Sequence, residues 1–146
     1  PDVLKEAKGP RVITPHPGEM GRLLGVSSRD VHADRVGIAS RVAVENNVCV
    51  VLKGAHTVIA LPEGRVYINT TGNPGMATAG AGDVLTGMIG GLLAQGFKPE
   101  LAAIAAVYLH GLTGDLLSNE KGDYGIIATD LIEKIPYAIN SVRRET

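Results

Sequence analysis

Apolar positions recur along the chain with two different periods and divide it into alternating elements. Arg11-Val12-Ile13-Thr14 is a short apolar run stopped by Pro15-His16-Pro17-Gly18, which predicts a strand feeding a loop. Glu19 to Leu24 predicts a helical segment, with Met20, Leu23 and Leu24 on one side and Gly25 as its stop. Ser27-Ser28-Arg29-Asp30 has the form of a capping box. It opens a helix to about Asn46 in which Val31, Ile38, Ala39, Val42 and Ala43 fall at helical spacing, and Asn46-Asn47 breaks it. Val48-Cys49-Val50-Val51-Leu52 is short, continuous and largely β-branched. That is the pattern of a strand covered on both faces, as in parallel α/β sheets. After the turn Lys53-Gly54-Ala55, the runs Thr57–Leu61 and Arg65–Asn69 flank Pro62-Glu63-Gly64 and predict a hairpin.

An irregular stretch from Thr70 to Gly82 follows, and Asp83 then opens a strongly apolar helix to about Gln95. Gly87, Gly90 and Gly91 weaken a lone helix, so they predict one that is buried and closely approached. Lys98-Pro99-Glu100 starts an Ala-rich apolar helix through Leu117, Asn119 to Tyr124 reads as a polar loop, and Thr129-Asp130 caps a last helix to about Arg144. Residues 2–8 suggest a short helical turn. There is no internal repeat and no linker, so residues 1–146 read as one domain.

Composition narrows the classes further. A chain that is 45% hydrophobic and 20% charged is not disordered as a whole. Fourteen basic against fifteen acidic residues leave no surplus to drive binding to nucleic acid or an anionic membrane, so neither is an expected partner. No run of apolar residues approaches the roughly 20 that a membrane span needs. The single cysteine, Cys49, excludes an internal disulfide and a thiolate zinc cluster within one chain, and in Val-Cys-Val-Val it reads as a small core residue. The polar start, Pro1-Asp2-Val3-Leu4-Lys5-Glu6, has neither a signal-peptide pattern nor an initiator Met. These features predict a reducing, cytoplasmic setting and a piece of a longer chain.

The sharpest chemical feature is Gly80-Ala81-Gly82-Asp83 at a loop-to-helix junction. A helix N-terminus carries unpaired N–H groups and partial positive charge, and glycines there let an anion approach the backbone. A carboxylate repels that anion. Asp83 therefore either caps the helix, with the glycines serving close packing, or takes a proton from a hydroxyl attacking a phosphate. The segment is not a Walker A loop, since no Gly-Lys-Ser/Thr ends it. Nor is it the dinucleotide fingerprint, because Gly87 follows Gly82 too late and no strand precedes it.

Thr78-Ala79-Gly80-Ala81-Gly82-Asp83 resembles the anion-hole signature of the ribokinase-like superfamily. Three longer strings are more specific: Thr14-Pro15-His16-Pro17-Gly18-Glu19-Met20, Lys53-Gly54-Ala55-His56-Thr57, and Asn73-Pro74-Gly75-Met76-Ala77-Thr78-Ala79-Gly80-Ala81-Gly82-Asp83-Val84-Leu85-Thr86-Gly87. Together, in this order, they resemble the ADP-dependent (S)-NAD(P)H-hydrate dehydratases, which repair hydrated nicotinamide cofactors. The likeness covers essentially all of this chain but only about the C-terminal half of a family domain.

The resemblance implies an α/β fold, a ribokinase-like three-layer α/β/α sandwich with a mostly parallel sheet, seen as a partial domain. It implies ADP (or ATP) as phosphoryl donor, Mg²⁺ on the phosphates, NAD(P)H hydrate as substrate, a homo-oligomer, and fusion to an epimerase domain in some bacterial chains. It places Asp83 as the base on the hydrate's hydroxyl, Asn73 to Gly82 around the nucleotide phosphates, Lys53 to Thr57 on the nucleotide, and His16 on the hydrated cofactor. Lys53 read alone also fits a solvated strand end, and His16 between two prolines a rigid surface turn. His32 and His110 read as ordinary helix residues, and Asp115, Asp123 and Asp130 as solvated or capping groups. Two rivals stand beside this reading. One is a sugar or vitamin kinase of the same superfamily, against which count Ala77 where sugar kinases carry Asp and Asp83 where hydroxymethylpyrimidine-type kinases carry Cys. The other is a non-catalytic nucleotide-binding or assembly piece.

Overall fold

The computed structural model describes residue 4 and residues 9–144. The turn expected over residues 2–8 lies, Leu4 apart, outside the described residues. The elements run β1 (Val12–Ile13), α1 (Pro17–Leu24), α2 (Ser28–Ala33), α3 (Arg35–Asn46), β2 (Cys49–Leu52), β3 (Val58–Ala60) and β4 (Val66–Ile68). A 3-10 turn (Pro74–Met76), α4 (Ala81–Ala94), α5 (Pro99–Lys121) and α6 (Ala128–Arg144) complete the order.

Four strands form one sheet in the order β1-β2-β3-β4. β1 pairs with β2 in parallel, Val12 opposite Cys49, whereas β2–β3 and β3–β4 are antiparallel. The sheet over this stretch is therefore mixed and not mostly parallel. Connection length explains the difference. Only β1 and β2 are joined through helices long enough for a crossover, while the links after β2 and β3 are too short for anything but a reversal. The expected hairpin forms around Gly64, whose φ of +92° a side chain would strain.

The sheet is the middle of three layers. Val50, Leu52, Val58 and Ala60 face Met20, Val31, Ile38, Ala39, Val42 and Ala43 of α1–α3. Cys49, Val51, Ile59 and Leu61 face Leu85, Ile89, Ala102, Ala103, Ala106 and Val107 of α4 and α5. Alternate residues of β2 thus enter opposite cores, which is why the strand reads as a continuous apolar run. A third cluster, with Ala81, Leu117, Ile126 and Leu131, joins α4, α5 and α6.

Several local expectations change. The single helix expected over 27–46 is two helices. Asp34 leaves the helical region (φ −144°, ψ 68°), and its carboxylate accepts from the Gly37 N–H at 2.8 Å, capping α3. The box at Ser27 and Asp30 forms as expected, and Asn47, with φ +50°, ends α3. α5 runs past Leu117 to Lys121, so Asn119, Glu120 and Lys121 are helical and the loop begins at Gly122. At 23 residues α5 is long and apolar enough to cross a membrane, contrary to the reading of the sequence; here its apolar face is core, packed on α4, α6 and β2. The glycines of α4 are also not closely approached. Gly90 and Gly91 are exposed, and a Cβ at Gly87, Gly90 or Gly91 would meet nothing within 4 Å, while Ala81, Leu85 and Ile89 make the buried face.

Candidate functional site

α4 starts with no side chain capping it. Its N-cap is Gly80, whose φ of +86° favours glycine, and Ala81, Gly82 and Asp83 make the first turn. The Asp83 N–H is satisfied by the Gly80 carbonyl at 3.0 Å, whereas the Gly82 N–H donates to nothing among the described residues. The Asp83 carboxylate is exposed and makes no hydrogen bond or ion pair among the described residues. It makes no capping hydrogen bond, although as an acidic residue in the first turn it faces the positive end of the helix. One free amide, a helix dipole and an uncommitted carboxylate stand together at this end.

Lys53 closes on the same place. A Cβ built on Gly82 would lie 3.0 Å from the Lys53 Nζ, so the ammonium is packed against the first turn of α4. Its side chain is one quarter exposed, and its ion partner is Glu19, with Nζ to Oε2 at 3.6 Å. A cation at the positive end of a helix is repelled by it. The pairing becomes favourable when an anion sits between ammonium and amides. Lys53 is therefore not a solvated strand end. The Lys53 N–H donates to the Pro15 carbonyl at 2.8 Å, which fixes the end of β2 beside the loop after β1.

His16 leads that loop into α1 as its N-cap. Its Nδ1 accepts from the N–H groups of Gly18 at 3.0 Å and Glu19 at 3.2 Å, and Glu19 Oε2 accepts from the His16 N–H at 2.7 Å. This is a reciprocal capping box with histidine in the place usually held by serine or threonine. With Nδ1 occupied as acceptor, the hydrogen bonds assign the neutral ring's proton to Nε2, which lies 3.5 Å from Glu19 Oε1 on a half-exposed side chain. The hydrogen bond from the His16 N–H, with Lys53 as a smaller contributor, holds the Glu19 carboxyl below its ordinary range. His16, Glu19, Lys53 and Gly82 are thus linked in one chain of contacts, and Thr14 meets Thr86 Oγ1 to Oγ1 at 3.1 Å across the same seam.

Arg35 was not visible as a functional candidate in the sequence. From the start of α3 its guanidinium donates to the carbonyls of Ala55 (2.6 Å), Leu52 (3.1 Å) and His56 (3.3 Å), holding the Lys53–Thr57 segment in shape. Burial lowers its pKa. Gly54 (φ +143°) lies against this guanidinium, His56 adopts φ +53°, and Thr57 Oγ1 donates to the Gly54 carbonyl at 3.1 Å. A spacing rule could not have found Arg35, because the contacts are to backbone carbonyls about 20 residues away.

The rest of the long motif divides. Asn73 spends its side chain internally: Oδ1 accepts from the Gly75 N–H at 3.0 Å and Nδ2 donates to Asp115 at 3.1 Å. Pro74, Gly75 and Met76 form the 3-10 turn; Gly75 lies against the Asp123 carbonyl and Met76 against Gly114. Asn73, Gly75 and Met76 touch α5 and the loop after it, while Ala77, Thr78 and Ala79 lead on to Gly80. Asp115, half-buried, also accepts from the Gly72 N–H at 2.9 Å, so it is tied to the loop and not merely solvated. Asp130 accepts from the Ile127 N–H at 2.9 Å and pairs with Lys121, whose hydrogen bond is the main cause of its lowered pKa. Asp123 accepts from Ser118 Oγ. His32 is exposed on α2, whereas burial lowers the pKa of His110, whose ring lies next to the Ala81 backbone. A separate cleft of about 310 Å³, lined by Arg11, Asn47, Cys49 and Glu100 among others, opens at the opposite end of β2 from Lys53 and includes none of the motif residues.

A family model described as NAD(P)H-hydrate dehydratase matches residues 2–137. The bifunctional NAD(P)H-hydrate repair enzyme of Moorella thermoacetica is 52% identical over 143 residues, which are 98% of this chain and 27% of that protein. A crystal structure of the ADP/ATP-dependent NAD(P)H-hydrate dehydratase of Bacillus subtilis, co-crystallized with ATP/Mg²⁺ and soaked with CoA, superposes with a TM-score of 0.88 at 38% identity. The match covers 93% of this chain and 50% of that one. A ribokinase-like superfamily protein of Enterococcus faecalis superposes with a TM-score of 0.73 at 40% identity, over 88% of this chain and 44% of that one. The chain spans half or less of the length of each of these relatives, so what it shows is part of a ribokinase-like α/β domain. With its motifs gathered at one seam and the family model matched over nearly its whole length, the chain belongs to the NAD(P)H-hydrate dehydratase family.

Proposed function

We propose that this chain carries the phosphoryl-transfer half of an ADP-dependent (S)-NAD(P)H-hydrate dehydratase. The observation that carries the reading is the Lys53 ammonium packed against Gly82 at the positive end of α4, beside the free Asp83 carboxylate. A cation and an unused amide at that end fit a phosphate, and an unpaired carboxylate next to them fits a proton acceptor.

On this reading the hydrate's hydroxyl oxygen attacks the β-phosphorus of ADP, Asp83 takes the hydroxyl proton, and AMP leaves with the bridging oxygen. Phosphate then departs from carbon as a neighbouring C–H proton is lost, restoring the C=C bond. The sum is hydrate plus ADP to NAD(P)H, AMP and phosphate. The Gly82 N–H and Lys53 would stabilise charge on the transferring group, and Ala77 to Gly82 would line the phosphates. Gly54 to Thr57, shaped by Arg35, would meet the nucleotide, and His16 would present Nε2–H to the hydrated cofactor. Asn73 to Met76 would act by anchoring the loop. ATP is the alternative donor on the same reading.

Among the described residues no group of three His, Cys, Asp or Glu side chains could hold a metal. Mg²⁺ would therefore be held chiefly by phosphate oxygens, neutralising their charge.

The test is Asp83→Asn in the longest native chain that contains residues 1–146. Hydrated NADPH with ADP should regain reduced-nicotinamide absorbance in the unsubstituted protein. The variant should bind ADP with unchanged affinity while kcat falls about a hundred- to ten-thousand-fold. Turnover near the original level would overturn the role of Asp83, and an unsubstituted protein that binds no ADP would overturn the assignment.

A further inference from the structure

The loop that delivers Gly80 to α4 has no strand pairing of its own, since β4 ends at Ile68 and the next regular element is the 3-10 turn. Its shape must come from what it rests on, which is chiefly one face of α5, with Gly75 against the Asp123 carbonyl and Gly80 against Ala128. At the first step Thr71 Oγ1 lies 2.9 Å from the Tyr108 carbonyl, to which it donates, and a Cβ on Gly111 would come within 2.2 Å of that same Oγ1. One turn on, Asp115 accepts from the Gly72 N–H at 2.9 Å and from Asn73 Nδ2 at 3.1 Å, while Asn73 Oδ1 accepts from the Gly75 N–H. Between these, a Cβ on Gly114 would sit 2.2 Å from the Met76 sulfur. Gly111, Gly114 and Asp115 are spaced i, i+3, i+4, so they share one side of the helix.

Gly111 and Gly114 are thus sites where bare backbone meets the loop, and a carboxylate grips the loop between them. The two glycines are costly inside a 23-residue helix, and close approach explains them. Gly87, Gly90 and Gly91 of α4 show the contrast, because a Cβ on any of them would meet nothing within 4 Å.

We propose that Asp115 is a positioning residue: through Gly72 and Asn73 it locks the 71–80 loop on the glycine face of α5 and so fixes where the Gly82 amide and Asp83 stand. Asp115 touches no reacting atom. It acts through the loop, and a carboxylate suits the task because it can accept from a backbone N–H and a side-chain amide at once. The structural part stands on the contacts alone, and the catalytic consequence rests on the function proposed above.

Two measurements test the two parts separately, both in the longest native chain containing residues 1–146. The first is amide hydrogen exchange without ligand. Asp115→Ala should raise exchange at residues 72–83 by about tenfold or more while β2 and β3 stay protected, because the opening is local. Gly114→Ala, which pushes on Met76 from the same face, should give the same map. Asp115→Asn, which keeps one acceptor, should fall between. Exchange unchanged over 72–83 in the folded Ala variants, or raised equally in β2 and β3, overturns the proposal.

The second is steady-state kinetics with ADP and hydrated NADPH. A misplaced phosphate cradle should raise KM for ADP and lower kcat together, with kcat/KM down on the order of a hundredfold, and Asp115→Asn should recover part of it. Kinetic constants within twofold of the original, despite loosened 72–83 amides, would overturn the catalytic consequence. An unsubstituted protein with no dehydratase activity would instead count against the function proposed above and leave the exchange result to decide this inference.

Discussion

Asp83 and Lys53 carry most of the chemical argument, and they illustrate how far single residues can be read. Asp83 could be singled out from its four-residue context, but whether it capped or stood free depended on hydrogen bonds that sequence does not show. The same limit applies to His16, which turned out to cap a helix with its own ring. Cys49 is the opposite case: its neighbours already marked it as core. Burial pushes its thiol up to about 12. A raised pKa keeps the sulfur protonated, so the nucleophilic thiolate is scarce well above the usual range. Native protein incubated with iodoacetamide at pH 8.5 should be alkylated at Cys49 at least about a hundredfold more slowly than in denaturant. Equal rates, followed by mass spectrometry, would contradict the buried strand.

Elements followed periodicity where periodicity existed. The five residues around Val50 read as a doubly covered strand because both cores draw on them. Boundaries failed where a polar side chain intervened, as at Asp34, which ends one helix and begins another by caps on either side. The α4 glycines failed in a more informative way. Helix-weakening residues suggested close approach, yet the tightly approached helical glycines lie elsewhere, Gly111 and Gly114 on α5 among them. Because Gly90 is exposed with no atom near its missing Cβ, Gly90→Ala should stabilise this chain by about 0.5–1 kcal/mol. Urea denaturation measures it, and a loss of stability would show that another segment packs on that face of α4.

At the scale of the molecule, three layers share one small sheet, and most fully buried side chains sit on its two faces. Leu52 is wholly buried at the end of β2, immediately before Lys53. Leu52→Ala should cost about 2–5 kcal/mol, because its neighbours on α1–α3 can refill the space only in part. The shift in urea midpoint at constant slope reads that cost. The order of motifs and the alternation of helix and strand were set by the sequence itself, since they rest on local pattern and on strings of adjacent residues. So was the singling out of Asp83 as a candidate base. Tertiary structure alone decided that the sheet is mixed, that Lys53 lies against Gly82, that Arg35 shapes the Lys53–Thr57 turn, and that the 71–80 loop is seated on α5. The reason is physical: each of these is a contact between segments tens of residues apart, made through backbone groups that every sequence carries and no motif records.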